Sequence, residues 1–347
     1  MRRTPALVIV VALAAVGCGD DAPASSDTAI TDTVVDSTTS LSPFEDAADA
    51  VDPYDPATLA SFSDELSGAD VALSLDETTT GVLGGIRAGV CPGSPAEPYR
   101  RLVPSSGELY IDDEYIDRSL GGNRVLENFD VLGSIVVVAD DVTVRCGRVR
   151  GAENYSIDVQ STGVSIEWVE ASQADSGKTI LGGGYDIYRC DISGGEDGLH
   201  VNRAGVSVTE CYIHDQNFIG DDPHPDAIQA TTEGQVEYVD VVRSKLINFY
   251  KAPNAPLQIN IADRFSIRDS YLWGGVFNIL GDPGSPGVVE NNLFGWDSSQ
   301  FGFLSGVDAE RSGNVWWEWV SPKCSGPQSA DVCETPADFP GNGTPVE

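Results

Sequence analysis

All three histidines of the 347-residue chain, His200, His214 and His224, fall within 25 residues, and Asp197, Asp215, Asp221, Asp222 and Asp226 lie in or beside that stretch. Imidazole changes charge near neutral pH and carboxylates titrate lower, so this set suits general acid and base work or cation binding. Spacing narrows the choice. The chain has no His-x-His or His-x-x-x-His pair, the arrangements that put two imidazoles on one face for a transition metal. Two His and two Asp still leave Zn2+ open. Ca2+ on Asp197 and Asp226 is the better cation reading, and no other cofactor is expected.

The elements that must position these groups are short and repeat. Apolar triplets Val142-Thr-Val144, Val164-Ser-Ile166, Tyr185-Asp-Ile187, Val206-Ser-Val208, Phe265-Ser-Ile267 and Val288-Val289-Glu290 form one series. A second is centred on Ile157, Ile180, Leu199, Ile228, Ile259, Ile279 and Phe303, with intervals of 23, 19, 29, 31, 20 and 24 residues. Intervals near one solenoid coil, period-2 β-branched strands and Gly, Asn or Asp turns predict an all-β, right-handed parallel β-helix of about eight coils. Residues 132–314 form this solenoid. Residues 82–131 read as its N-terminal cap and first coil, and 315–347 as C-terminal cap and tail, because open solenoid ends expose strand edges. Trp316, Trp317 and Trp319 fit an apolar cap better than a sugar-stacking surface.

Alternation along each strand places the residue after each buried centre outside. Those positions, with their neighbours, give an outer polar stripe of His200, Gln229, Gln258, Asn260 and Asn278 that suits an extended glycan. One step along the ladder, Asp197 and Asp226 are equivalent positions of adjacent coils. A stacked pair can act as acid and base, as nucleophile and acid, or as a cation site. Turn chemistry is the competing role for Asp197 before Gly198. His224, in the loop leading to Asp226, overhangs the same sheet, whereas His214 belongs to the other strand series and reads as a framework residue bonded to a loop carbonyl.

The rest of the chain sets the compartment. Met1-Arg2-Arg3, an apolar run from Ala6 to Val16 and Ala15-Val16-Gly17-Cys18 read as a signal segment over 1–18. The Val-Gly-Cys ending resembles a lipobox, which predicts lipidation of Cys18 and a cell-surface lipoprotein, with ordinary secretion as the alternative. Residues 19–81 read as a disordered acidic tether, since 19–80 carries 15 acidic residues and no Lys or Arg. Six further cysteines would then work where disulfides persist. Cys324 and Cys333 are expected to bridge a C-terminal loop. Cys190 and Cys211 occupy equivalent places in neighbouring coils, as an apolar ladder in preference to a disulfide. With 54 Asp and Glu against 20 Lys and Arg, the net charge of -34 argues against nucleic acid and anionic membrane surfaces as partners. It favours neutral or cationic ligands, with membrane contact only through an N-terminal lipid. A monomer acting on extracellular polysaccharide is expected.

Glu196-Asp197-Gly198-Leu199, Tyr212-Ile213-His214-Asp215 and His224-Pro225-Asp226-Ala227-Ile228-Gln229 resemble motifs of the pectate-lyase-like β-helix superfamily, and 99–314 is most similar to a secreted bacterial branch of it. Pro225 and Ala227 stand where related chains tend to have Ser and Gly. The resemblance implies the fold strongly and the chemistry weakly, since this architecture hosts lyases, hydrolases, esterases, epimerases and adhesins. In β-elimination from a uronate, Gln229 and Asn260 would neutralise the carboxylate and His200 or His224 would be the base. Lys251 and Arg264 resemble the Lys and Arg pairing of some β-helix lyases. In hydrolysis Asp197 and Asp226 would be the carboxylate pair. The polygalacturonase Gly-His-Gly and Arg-Ile-Lys signatures and the pectate lyase Arg-x-Pro-x-x-Arg motif are absent. The expectation is a polysaccharide lyase, then a hydrolase, then a non-catalytic glycan-binding or adhesin-like surface protein.

Overall fold

The computed structural model describes residues 68–92, 99–151, 154–217, 224–230, 236–248, 255–260, 262–282, 285–296, 298–299, 301–317 and 340–346. The expected signal segment with Cys18, most of the tether, Lys251, Cys324 and Cys333 lie outside the described residues.

Among the described residues the strand-to-strand ladders are parallel, and each strand's neighbours come from the preceding and following coils, which defines a parallel β-solenoid of about eight coils. The front sheet comprises Glu108–Ile111, Ser134–Val137, Tyr155–Val159, Lys178–Gly182, Asp197–Val201, Asp226–Ala230, Leu257–Ile259, Phe277–Gly281 and Gly302–Ser305. The other sheet has two series separated by a corner. A side series includes Tyr185–Tyr188, Ala204–Thr209, Val236–Val242 and Arg264–Arg268, and a back series includes Asp191–Gly194, Tyr212–His214, Lys245–Asn248 and Tyr271–Gly274.

The corner between side and back series is made the same way in each coil. Asn128, Cys146, Trp168, Arg189, Glu210, Arg243, Asp269 and Asn291 all have φ between 46° and 59°. Left-handed backbone disfavours residues with a Cβ by about 1–2 kcal/mol, so the coil must compensate. It does so by hydrogen bonding: the N–H groups of Glu210, Arg243, Asp269 and Asn291 each donate to a carbonyl of the next coil at 2.9–3.1 Å. The following residue points inward and forms a ladder of Cys190, Cys211, Ser244, Ser270, Asn292 and Asn314. Its N–H donates to the next side chain, from Cys190 to Cys211 Sγ at 3.3 Å and from Asn292 to Asn314 Oδ1 at 3.0 Å. Cys190 and Cys211 are buried free thiols within this ladder.

Inside, Ile157, Ile180, Leu199, Ile228, Leu257 and Ile279 stack without exposed surface. Burying each such side chain contributes about 1.5–3 kcal/mol. The register corrects one expected centre: Leu257, not Ile259, pairs with Ile228 and Ile279. A period-2 pattern looks the same after a slip of two residues, so alternation alone could not choose between them.

The segment 68–92 departs from the expected division at 81/82. It runs along the outer face of the back series, opposite to the coil order. Gly68 lies by Asp269, Leu75 O accepts from Lys245 Nζ at 3.0 Å, Gly81 N–H donates to Arg189 O at 2.7 Å, and Cys91 is disulfide-bonded to Cys146. Ala72 and Leu75 cover an outward apolar row of Tyr212, Ile247, Tyr271, Trp273 and Leu293. This burial orders a strap that carries the helices Ala69–Leu73 and Gly81–Arg87. Within the expected cap over 82–131, the helix Asp113–Ser119 covers the end of the core; it buries Ile116 and is capped by Asp112 accepting from Tyr115 N–H at 2.8 Å. At the other end Trp316 packs on Trp296 and Phe303, and Val315 pairs with Pro345.

Candidate functional site

The front strands that start at Tyr155, Lys178, Asp197, Asp226 and Phe277 begin with an outward residue, then two inward residues, then a second outward one. The inward pair arises where the chain turns the corner into the sheet: Ser156, Thr179, Gly198, Ala227 and Asn278 precede the stacked aliphatic centres and are all buried. Gly198 is required there, because a Cβ would meet Ile213 Cγ2 at 2.5 Å and Ala227 O at 2.6 Å. The result is two outward columns three residues apart. One reads Tyr155, Lys178, Asp197 and Asp226, and the other Tyr110, Val136, Asp158, Leu181, His200, Gln229, Gln258 and Leu280.

Asp197 is the hub. Its side chain has 0% exposure, its Oδ2 lies 2.7 Å from His200 Nδ1 and 2.8 Å from Lys178 Nζ, and its Oδ1 accepts from Asp226 N–H at 3.3 Å. Lys178 also donates to Glu196 Oε2 at 2.7 Å. Burial opposes the charge on Lys178, yet Asp197 and Glu196 hold its pKa above the ordinary lysine value. Glu196 Oε1 accepts from the His224 N–H at 3.1 Å, which brings the start of that strand beside the same group.

Asp197 and Asp226 are register partners, but the link between them runs from the Asp226 backbone to the Asp197 carboxylate. Asp226 is also 0% exposed, and its oxygens accept from Ala255 N–H at 2.8 Å and Gln229 Nε2 at 3.0 Å. This arrangement fits a divalent cation poorly, since an ammonium already occupies Asp197 Oδ2 and amide donors occupy Asp226. Among the described residues no group of three or more His, Cys, Asp or Glu is placed to hold a metal ion.

The remaining expected residues divide. Gln229 and Gln258 are adjacent in the His200 column. Asn260 lies two residues beyond Gln258 and accepts from its Nε2 at 2.7 Å, a displacement that follows from the Leu257 register. Asn278 is not on the outer stripe: it is buried at the corner and donates to Gly274 O at 3.0 Å. Arg264 lies on the side series, 58% exposed at its side chain, paired with Asp240 at 3.1 Å and stacked 4.6 Å from the Tyr238 ring. It is therefore on a different sheet from His200.

His214 bonds carboxylates, not a loop carbonyl. Its Nε2 lies 2.9 Å from Asp191 Oδ1, its Nδ1 3.0 Å from Asp215 Oδ2, and its ring stacks on Tyr212 at 3.9 Å. This second group lies on the back series, away from the front columns.

Lys178 and Glu196 complete the site and were not singled out from sequence. The signal was present: Lys178 precedes the centre Ile180 by two residues, as Asp197 precedes Leu199 and Asp226 precedes Ile228.

Comparison of the chain with known protein families, with curated proteins and with solved structures gives no match.

Proposed function

We propose that the protein is an extracellular polysaccharide-degrading enzyme of the pectate-lyase-like kind, eliminating across C4–C5 of a uronate unit with His200 as general base. The observation that carries this is the Asp197 carboxylate 2.7 Å from His200 Nδ1. A buried carboxylate on Nδ1–H selects the tautomer whose Nε2 accepts a proton, and it stabilises the imidazolium that forms. His200 Nε2 takes the C5 proton, the electrons of that C–H bond become the C4=C5 double bond, and the C4–O bond breaks toward the glycosidic oxygen. The leaving oxygen takes a proton from His224, completing a redox-neutral step. Gln229 and Gln258, next in the column, each have a second amide N–H, beyond those given to Asp226 and Asn260, for the uronate carboxylate.

Hydrolysis by Asp197 and Asp226 is less well supported, because neither side chain has exposed surface and both already accept hydrogen bonds. The Cys91–Cys146 disulfide supports an oxidising compartment, consistent with lipidation at Cys18 or secretion.

The full chain is assayed against a panel of uronate polymers, following ultraviolet absorbance of unsaturated ends alongside reducing ends. Both signals rise together in the parent, and His200→Gln lowers turnover about 10²- to 10⁴-fold with an unchanged circular dichroism spectrum. Reducing ends without unsaturation, full turnover by His200→Gln, or no turnover of any polymer overturns the proposal.

A further inference from the structure

The polar columns of the front sheet end in aromatic side chains on both sides. Four strands before His200, in its column, stands Tyr110, 48% exposed. Its hydroxyl donates to Glu108 Oε2 at 2.7 Å, while the Tyr155 hydroxyl donates to Oε1 at 2.6 Å, so one carboxylate fixes two phenol rings. Three strands beyond Asp197, in the other column, stands Phe277, with the Phe301 ring 5.8 Å from it and Phe301 66% exposed. The coils that carry Tyr110 and Phe277 are seven strand spacings apart, about 34 Å. Between them the front face carries the carboxylates of Glu108, Asp158, Glu196, Asp197 and Asp226. The cations Lys178 and Arg203 are both already beside carboxylates.

We infer that this face takes an extended glycan in which isolated uronates are separated by uncharged sugars, with Tyr110 and Phe301 as stacking platforms for uncharged rings at the two ends. The inference rests on the elimination reading above and narrows its substrate. An aromatic ring packs well against the apolar face of a neutral sugar ring. A polyuronate instead brings a negative charge with every ring to a face on which, among the described residues, carboxylates outnumber cations, and such repulsion is strongest at low salt. A single uronate needs only the slot beside His200, where the Gln229 and Gln258 amides stand.

Binding is measured by calorimetry at low salt with two probes: an oligogalacturonate octamer, and an octamer alternating glucuronate with N-acetylglucosamine. The alternating octamer binds at least tenfold more tightly. Tyr110→Ala and Phe301→Ala each weaken it about tenfold, and leave a disaccharide of the same repeat unaffected. Both residues are exposed, and the melting temperature of each variant verifies its fold. If the alternating octamer binds with this dependence on the platforms and is not cleaved, the elimination reading fails and the ligand assignment stands. Equal or tighter binding of oligogalacturonate, unchanged affinity in both platform variants, or binding of neither probe overturns the inference.

Discussion

His214 couples folding stability to pH through a group remote from the proposed chemistry. Burial pulls its pKa down, but the hydrogen bonds and charges of Asp191 and Asp215 outweigh it and raise the value from 6.5 to about 9. A raised pKa means the folded state binds the proton more tightly than the unfolded chain does. The resulting stabilisation is complete below pH 6.5, declines as pH rises through the interval, and is lost above about 9. Each pKa unit corresponds to about 1.4 kcal/mol, so this one imidazole contributes about 3 kcal/mol at pH 6. Urea unfolding followed by tryptophan fluorescence at steps between pH 6 and 9 reads the decline directly. In His214→Gln, which keeps a donor for Asp191 without a titrating group, the slope disappears. A parent whose stability is flat across this window, or a His214→Gln variant that keeps the slope, refutes the account.

Two further outcomes follow from contacts described above. Asn292→Ala leaves the Ser270 N–H and the Ile267 carbonyl without their partner inside the corner ladder, which lowers stability by about 2–4 kcal/mol in denaturant unfolding; a loss below about 1 kcal/mol contradicts the role given to the ladder. Arg264→Ala leaves turnover of any active polymer within about twofold of the parent, since an exposed ion pair of this kind contributes roughly 0–1 kcal/mol and Arg264 lies on the side series; a tenfold loss places it at the site after all.

Much of the solenoid was legible because one stacked aliphatic centre per coil recurs along the chain, and the alignment of Asp197 with Asp226 came from the same count. The errors have local causes. Strict alternation puts Asn278 outside, whereas the corner turns two successive residues inward. Alternation alone puts Asn260 where Gln258 stands, because Leu257 and Ile259 have the same parity. The role of Lys178 appears only when its own coil is laid against the Asp197 coil. The strap was the least legible part. Its composition reads as solvated chain, and its few apolar residues gain a partner only when the back series presents an aromatic row.

That strap also determines how the fold would carry a mechanical load. A pull on the chain ahead of Gly68 meets contacts in reverse coil order, first near Asp269, then at Lys245 and Arg189, and last at Cys146. Contacts met one after another yield singly, so the segment peels from the solenoid at low force while the stacked coils keep their register. Peeling 24 residues releases at most about 80 Å of extended chain. The Cys91–Cys146 bond then stops the peel, and any greater load passes through a covalent link into the early coils. Under such a pull the strap would yield over a fixed travel, and the disulfide would set its end point.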